Sequence, residues 1–189
     1  MTTPLAAKIA RDYGTPCAVI DMDKVERNIA RVQAACDAAG VANRPHIKTH
    51  KSPLLAKMQI AAGAKGITCQ KLGEAEVMAA GGIDDILISY NLIGEEKMAR
   101  LAGLQAKADM TVAADNATVI AGLPRAPEIS GRPLSVVVEC DTGRKRAGRR
   151  DARRGDCAGA RDRGVGGTDI WRLHAVSDRE RLGRSAGVF

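Results

Sequence analysis

The stretch from Asn43 to Lys51 holds the residues of this sequence that are best suited to covalent chemistry. It reads Asn-Arg-Pro-His-Ile-Lys-Thr-His-Lys, a short extended run that leads into a helix start. Nearby positive charge and partial burial favour the neutral form of a lysine amine, which is the form that attacks a carbonyl. Lys48 is therefore a candidate Schiff-base nucleophile. The alternative is a solvated basic turn, since runs of charge are usually exposed.

Strand-like apolar runs alternate with helical patterns along most of the chain. Such runs lie at residues 17–20, 43–47, 66–69, 86–89, 110–113 and 134–139. Between them, the predicted helix N-caps are Asp23, Ser52 and Asp115. The runs are nearly continuous in apolar residues, so both faces of the sheet should be covered. Regular strand–helix alternation predicts right-handed βαβ units and an α/β fold with a parallel sheet. We interpret it as a partial (β/α)8 barrel, with a doubly wound open sheet as the alternative.

A barrel would bring several polar residues of this sequence to one place. The loops that follow its strands share one mouth, where catalytic groups gather. Lys48 follows one strand, Gln70 ends another, and the basic loop Asp141–Gly148 follows a third. We expect His46 to neighbour Lys48 at this mouth and Asp141 to fix the basic loop. Two acids further along, Glu74 and Glu76, are interpreted as ordinary helix N-terminal acids, which the helix dipole favours.

The amino-acid composition argues against some classes of function. The net charge is +7, but residues 149–189 carry ten arginines, no lysine and six acids, so over half of the charge lies in the last 41 residues. Aromatic residues make up 2%, which leaves few side chains for stacking on nucleic-acid bases and argues against that partner. No apolar run is long enough to span a membrane. The five cysteines are scattered and predict reduced core thiols in a cytoplasmic protein.

Six motifs follow one another in a recognisable order. They are Thr15-Pro16, Asp21-Met22-Asp23 with Glu26-Arg27-Asn28, Arg44–Lys51, Gln70–Glu76, Gly82–Leu87 and Glu139–Gly148. Together they resemble the D-threonine aldolase and D-serine dehydratase family of fold-type III pyridoxal-phosphate enzymes, over about residues 14–148. The resemblance implies that residues 1–148 form a partial cofactor-binding barrel of the alanine racemase N-terminal type.

The resemblance also assigns roles to individual residues. It implies that Lys48 forms the Schiff base with pyridoxal phosphate and that Arg146 faces the pyridine nitrogen, with His46 and Gln70 as further cofactor-binding residues. An arginine keeps its proton, so it would donate to an unprotonated ring nitrogen and leave the cofactor a weaker electron sink. That restraint suits a lyase or a racemase.

The implied activity is that of a lyase acting on a small β-hydroxy-D-amino acid, which is cleaved to glycine and an aldehyde. The alternatives are D-serine dehydration and a non-catalytic pyridoxal-phosphate barrel. The full-length family is expected to be a homodimer or a monomer, with no nucleic-acid or membrane partner. The resemblance implies a divalent metal in a C-terminal domain, and this chain holds no matching ligands.

The resemblance stops after Gly148. Residues 149–189 have neither helical period nor caps, and they are dense in arginine, glycine, aspartate and alanine. One interpretation is a disordered, arginine-rich tail that binds RNA. The other interpretation is a frameshift in a GC-rich gene. Synonymous codons can be chosen for these residues so that the shifted reading frame encodes an amphipathic helix and then a strand. On that interpretation the barrel is truncated, and the 189-residue chain is predicted to be inactive.

Overall fold

A computed structural model describes residues 3–141 and 145–148, together with the backbone of residues 168–176. Its helices in these ranges are α1 Pro4–Tyr13, α2 Met22–Ala38, α3 Pro53–Ala61, α4 Leu72–Ala80, α5 Glu95–Gln105, α6 Ala117–Gly122 and α7 Arg125–Ser130. The strands are β1 Ile67–Cys69, β2 Asp85–Ile88, β3 Asp109–Ala114, β4 Leu134–Asp141 and β5 Thr168–Val176.

All five strands are parallel, and their order in the sheet is their order in the chain. Residues 43–47 extend the sheet beyond β1, since His46 bridges Thr68 and the Ile47 amide donates to the Thr68 carbonyl at 2.9 Å. A doubly wound sheet reverses its strand order partway, whereas a barrel adds strands in sequence. The sequential order therefore confirms the predicted barrel architecture.

The two faces of the sheet differ in what covers them. The outer face carries fully buried side chains such as Ile47, Ile67 and Ile86, which form one cluster with apolar residues of α3, α4 and α5. Alternate positions along a strand point to the opposite face. There Leu87, Ala113 and Val137 form a second, smaller cluster. The helices thus hold the sheet from outside and leave its inner face for other side chains.

Two local predictions fail near the N-terminus. Residues 17–20 are not a strand, and Val19 and Ile20 are exposed, because these apolar residues have no partner strand among the described residues. Cys17 is likewise exposed, so it is not a core thiol, while Cys69 and Cys140 are buried as predicted.

The tail predicted to be irregular, residues 149–189, lies outside the described residues except for the backbone of β5. The backbone of β5 pairs with β4 from Leu134↔Thr168 to Asp141↔Val176, with a register shift at Val136/Val137, and the irregular character of residues 149–189 stays a prediction. The free edge of a parallel strand presents unpaired N–H and C=O groups that a following segment can pair with. Pairing to the exposed edge of β4 supplies the physical reason for this strand.

Candidate functional site

A cavity of about 300 Å³ lies on the inner face of the sheet. Its floor includes the buried side chains of Leu87, Ala113 and Val137. Polar side chains surround this floor, and they come from the 43–48 segment, β1, β4 and the loops that follow the strands. They are Arg44, His46, Lys48, Thr68, Gln70, Ser89, Glu139 and Arg146. The inner face is therefore a polar recess with a small apolar base.

Lys48 is carried by a tight turn at the end of the first sheet segment. Ile47 is fully buried, and its carbonyl accepts a 2.8 Å hydrogen bond from the Lys51 amide, which closes the turn. Lys51 has a φ of 49°, a left-handed conformation that non-glycine residues seldom adopt. Lys48 itself is exposed at the rim of the cavity. Core packing and backbone bonds thus fix the position of the amine-bearing residue.

His46 connects this turn to the neighbouring strands. Its Nδ1 accepts from the Lys48 backbone N–H at 3.3 Å, and its Nε2 lies 3.3 Å from Gln70 Oε1 and 3.5 Å from Ser89 Oγ. This pattern assigns the Nε2–H tautomer, with Nε2 donating to Gln70. Burial lowers the pKa of His46, and the charge of Lys48 lowers it further against opposing contributions from Gln70 and Glu74. The ring is therefore a neutral support for the Lys48 turn.

Glu74 ties the same turn to α4. Its side chain is 7% exposed, its Oε2 accepts from the Gln70 backbone N–H at 2.8 Å, and its Oε1 lies 3.4 Å from Lys51 Nζ. Glu74 does lie in the first turn of α4, as expected, but its buried carboxylate has this further role. Glu76 is half-exposed and pairs with Arg100, whose hydrogen bonds hold the pKa of Glu76 below its usual value.

Arg146 belongs to a loop that two carboxylates hold by its backbone. The Lys145 N–H donates to Asp141 Oδ1 at 2.9 Å, which confirms the predicted structural role of Asp141. The Gly148 N–H donates to Asp115 Oδ2 at 3.2 Å. Gly148 has a φ of 91°, and a Cβ there would lie 2.6 Å from the Asp141 nitrogen. The glycine is therefore required for the loop to approach β4 so closely.

Arg44 closes the cavity at the start of the sheet segment. Its guanidinium donates to both carboxylate oxygens of Asp85, at 2.8 and 2.7 Å, and both side chains are largely buried. A paired arginine of this kind is held rigidly by its two parallel bonds. Arg44 is thus a structural wall of the recess.

The structure brings the four predicted site residues, Lys48, His46, Gln70 and Arg146, around one cavity. Their roles toward a cofactor stay predictions. His50 does not line the cavity; its Nδ1 accepts from the Ser52 N–H at 3.0 Å, and burial lowers its pKa.

Sequence reasoning missed Ser89 and Glu139, which also line the cavity. Each is the last residue of a predicted strand, so its position at a strand end was the signal that could have found it.

Among the described residues, no group of three or more His, Cys, Asp or Glu side chains is arranged to hold a metal ion. The divalent metal implied by the resemblance stays a prediction. In the same part of the chain, none of the helices combines the length and apolar character needed to cross a membrane.

Comparisons with known proteins agree with this architecture. The profile of the family described as alanine racemase, N-terminal domain, matches residues 20–179. D-threonine aldolase from an Arthrobacter species is 42% identical over 134 residues, which cover 71% of this chain and 35% of that protein. The chain thus spans about a third of the length of this curated relative.

Two solved structures are also similar. The crystal structure of D-threonine aldolase from Filomicrobium marinum superposes with a TM-score of 0.79 at 36% identity, covering 84% of this chain and 43% of that one. D-threo-3-hydroxyaspartate dehydratase from Delftia sp. HT23 superposes with a TM-score of 0.65 at 38% identity, covering 71% and 35%. The family match extends over more than half of the chain, and the observed barrel agrees with it. The chain therefore belongs to the alanine racemase N-terminal domain family, the pyridoxal-phosphate barrel enzymes of fold-type III.

Proposed function

We propose that residues 1–148 form the cofactor-binding part of a pyridoxal-phosphate-dependent lyase that cleaves β-hydroxy-D-amino acids to glycine and an aldehyde. The observation that carries the proposal is the position of Lys48 at the rim of a cavity that Arg146, His46 and Gln70 also line. The relatives named as aldolases support the substrate class. Because the chain spans about a third of the curated aldolase, the whole activity is a proposal here.

The side chains around the cavity fit pyridoxal phosphate chemically. They offer a primary amine for its aldehyde, a guanidinium for its ring nitrogen, and an uncharged imidazole and amide for its remaining polar edge. The cavity volume of about 300 Å³ is at the lower end of small-molecule sites. We propose that Lys48 holds the cofactor covalently through its amine.

Each side chain has a defined task in this proposal. Pyridoxal phosphate, when bound, supplies an electron sink for the bond that breaks at Cα. His46 orients Lys48, because its Nδ1 fixes the Lys48 amide while its Nε2–H is held by Gln70. Arg146 would donate a hydrogen bond to the ring nitrogen and keep its own proton, so it would not protonate that nitrogen. That limits unwanted reactions of the electron pair released at Cα.

Cleavage of Cα–Cβ also needs a base for the β-hydroxyl proton. The divalent metal that the resemblance implies would supply Lewis-acid assistance to that base, and neither the metal ligands nor the base is assigned to a described residue. D-serine-type dehydration is the second candidate, favoured by the similarity to the Delftia dehydratase. There Lys48 would take the α-proton and the β-hydroxyl would leave as hydroxide. A non-catalytic pyridoxal-phosphate carrier would bind the cofactor at Lys48 and do neither.

The first test is borohydride trapping. The chain is mixed with pyridoxal phosphate, reduced and digested, and the labelled lysine is located by mass spectrometry. We expect one dominant label on Lys48, and its complete loss in Lys48→Ala. Lys51→Ala is the matched control, since Lys51 lies in the same turn but pairs with Glu74. Equal labelling of Lys51 or of scattered lysines would show an ordinary basic turn.

The same proteins are then offered D-threonine and D-serine, and glycine and pyruvate are measured. Glycine formation that Lys48→Ala abolishes identifies the aldolase, and pyruvate formation identifies the dehydratase. The out-of-frame origin of residues 149–189 is tested by sequencing the gene.

A further inference from the structure

Asp115 follows β3 immediately, and both of its carboxylate oxygens accept hydrogen bonds. Oδ1 accepts from Asn91 Nδ2 and from Asn116 Nδ2, each at 2.7 Å. Oδ2 accepts from the Gly148 backbone N–H at 3.2 Å. The two asparagine amides thus orient the carboxylate through Oδ1, and Oδ2 binds the loop that carries Arg146.

A carboxylate in this position often serves as a helix cap, and the sequence predicted that Asp115 caps α6. The structure corrects this prediction. Asn116 is the N-cap, since its Oδ1 accepts from the Val119 N–H at 3.0 Å. The Asp115 side chain therefore holds other loops. It joins the loop after β2, through Asn91, to the loop after β4, through Gly148.

The Arg146 loop is held at two points. The Lys145 N–H is bound by Asp141 at the end of β4, and the Gly148 N–H is bound by Asp115 at the end of β3. These strands pair directly, with Ala114 opposite Val138, so both carboxylates stand on one rigid base. Lys145 has a φ of 53°, a conformation that non-glycine residues seldom adopt, so this backbone path is unfavourable at Lys145 without such bonds.

We infer that Asp115 is a positioning residue that fixes Arg146 at the rim of the cavity. The inference rests on the proposed function, because it assigns Asp115 an effect on the cofactor through Arg146. Asp115 itself is not placed among the residues that line the cavity. Removing the Asp115 carboxylate leaves the Gly148 N–H without its acceptor. The loop can then move, and the Arg146 guanidinium leaves the position in which it would meet the cofactor.

The test is a double-mutant cycle on the dissociation constant of pyridoxal phosphate, measured by fluorescence titration of the full chain. The proteins are the wild type, Asp115→Ala, Arg146→Ala and the double variant. A hydrogen bond to a charged group is worth roughly the free energy of a tenfold change in affinity. We therefore expect each single variant to bind about tenfold more weakly, and the double variant to bind no more weakly than Arg146→Ala.

Additive losses in the double variant, or unchanged affinity in Asp115→Ala, would overturn the inference. Unchanged affinity in Arg146→Ala would overturn the proposed role of that arginine, and with it the effect of Asp115 on the cofactor. Hydrogen exchange without cofactor separates the two failures. Faster exchange of the Gly148 amide in Asp115→Ala means that the Asp115–Gly148 hydrogen bond holds the loop, and unchanged exchange means that it does not.

Two further variants guard against general unfolding. Asp21→Ala removes a carboxylate that accepts a backbone N–H at 3.1 Å from Lys24, on α2, and should leave both readings unchanged. Asp115→Asn keeps a side-chain oxygen that can accept from the Gly148 N–H. Asn91 Oδ1 has no hydrogen-bond partner in the described part of the chain. The Asn91 amide can therefore flip, so that this oxygen accepts from the new NH2 group. We expect Asp115→Asn to bind cofactor with an affinity within about threefold of the wild type. A loss of affinity equal to that of Asp115→Ala would contradict the proposed role of the Asp115–Gly148 hydrogen bond.

Discussion

The two sides of the cavity hold their functional side chains by different means. On one side, backbone pairing with β1 and the fully buried Ile47 fix the turn that carries Lys48. On the other side, side-chain carboxylates bind two backbone amides of the loop that carries Arg146. Ile47 is part of the main apolar cluster, whereas residues 145–147 are exposed.

This difference separates stability from cofactor binding. The Lys48 turn is continuous with the core, so changes beneath it should lower the free energy of unfolding of the whole domain. The Arg146 loop lies on the surface of the domain, so changes there should alter the loop and the affinity for cofactor more than global stability. Three comparisons of matched variants test this contrast, and they follow in order of expected size.

The largest effect is expected beneath the Lys48 turn, at Glu74. Glu74→Ala removes a buried carboxylate and leaves the Gln70 amide and Lys51 without their shared partner. We expect a loss of about 2 kcal/mol in the free energy of unfolding, measured by urea denaturation. Glu76→Ala is the control on the same helix, because it breaks a half-exposed ion pair with Arg100 and should cost under about 1 kcal/mol. Equal losses would mean that Glu74 is an ordinary helix N-terminal acid.

A smaller effect on stability is expected on the Arg146 side, at Gly148. A Cβ at this position would lie 2.6 Å from the Asp141 nitrogen and 2.7 Å from the Cys140 carbonyl carbon, both backbone atoms, at a positive φ. Gly148→Ala should therefore cost about 1 kcal/mol and speed exchange of the Lys145 amide. A Cβ on Gly103 in α5 would meet no neighbouring atom of the described residues within 4 Å, so Gly103→Ala should instead stabilise the helix by up to about 1 kcal/mol. Stabilisation by both changes would show that the loop is not held against β4.

Local sequence signals predicted the elements of the fold well. Ser52-Pro53 is the N-cap and first residue of α3, as expected, and the strands after it begin and end within about two residues of their predicted bounds. Helix starts and strand bounds depend on residues that are close in sequence and on the spacing of apolar residues. Where two neighbours could serve the same purpose, the sequence did not distinguish them. Asp21, not the predicted Asp23, caps α2, and Asn116, not Asp115, caps α6.

Tertiary roles were harder to predict than elements. The sequence placed Glu74 in the first turn of a helix, which is correct, but its burial depends on how α4 packs beneath the Lys48 turn. The loop from Asp141 to Gly148 was expected at the barrel mouth, while its bond to Asp115 joins residues 33 positions apart. Such contacts follow from the pairing of β3 with β4, which no local pattern encodes.

The smallest effect is expected from pH, and it should come from the Lys48 side. Burial lowers the pKa of His46 and of His50, so the unfolded chain takes up protons first as the pH falls below about 6.5. Stability contributed by the neutral rings is thus complete above that pH and is lost as the pH falls below it. Thermal unfolding from pH 7.5 to 5.5 should show this decline, and His46→Gln with His50→Gln should flatten it. Among the described residues, the groups that bind the Lys145 and Gly148 amides are carboxylates and not histidines. The protection of these amides from exchange, corrected for the intrinsic rate, should therefore stay constant over the same range. An equally steep decline in the double histidine variant would show that the histidines do not cause it. Loss of protection in the Arg146 loop over the same pH range would show that the two sides of the cavity do not differ in this respect.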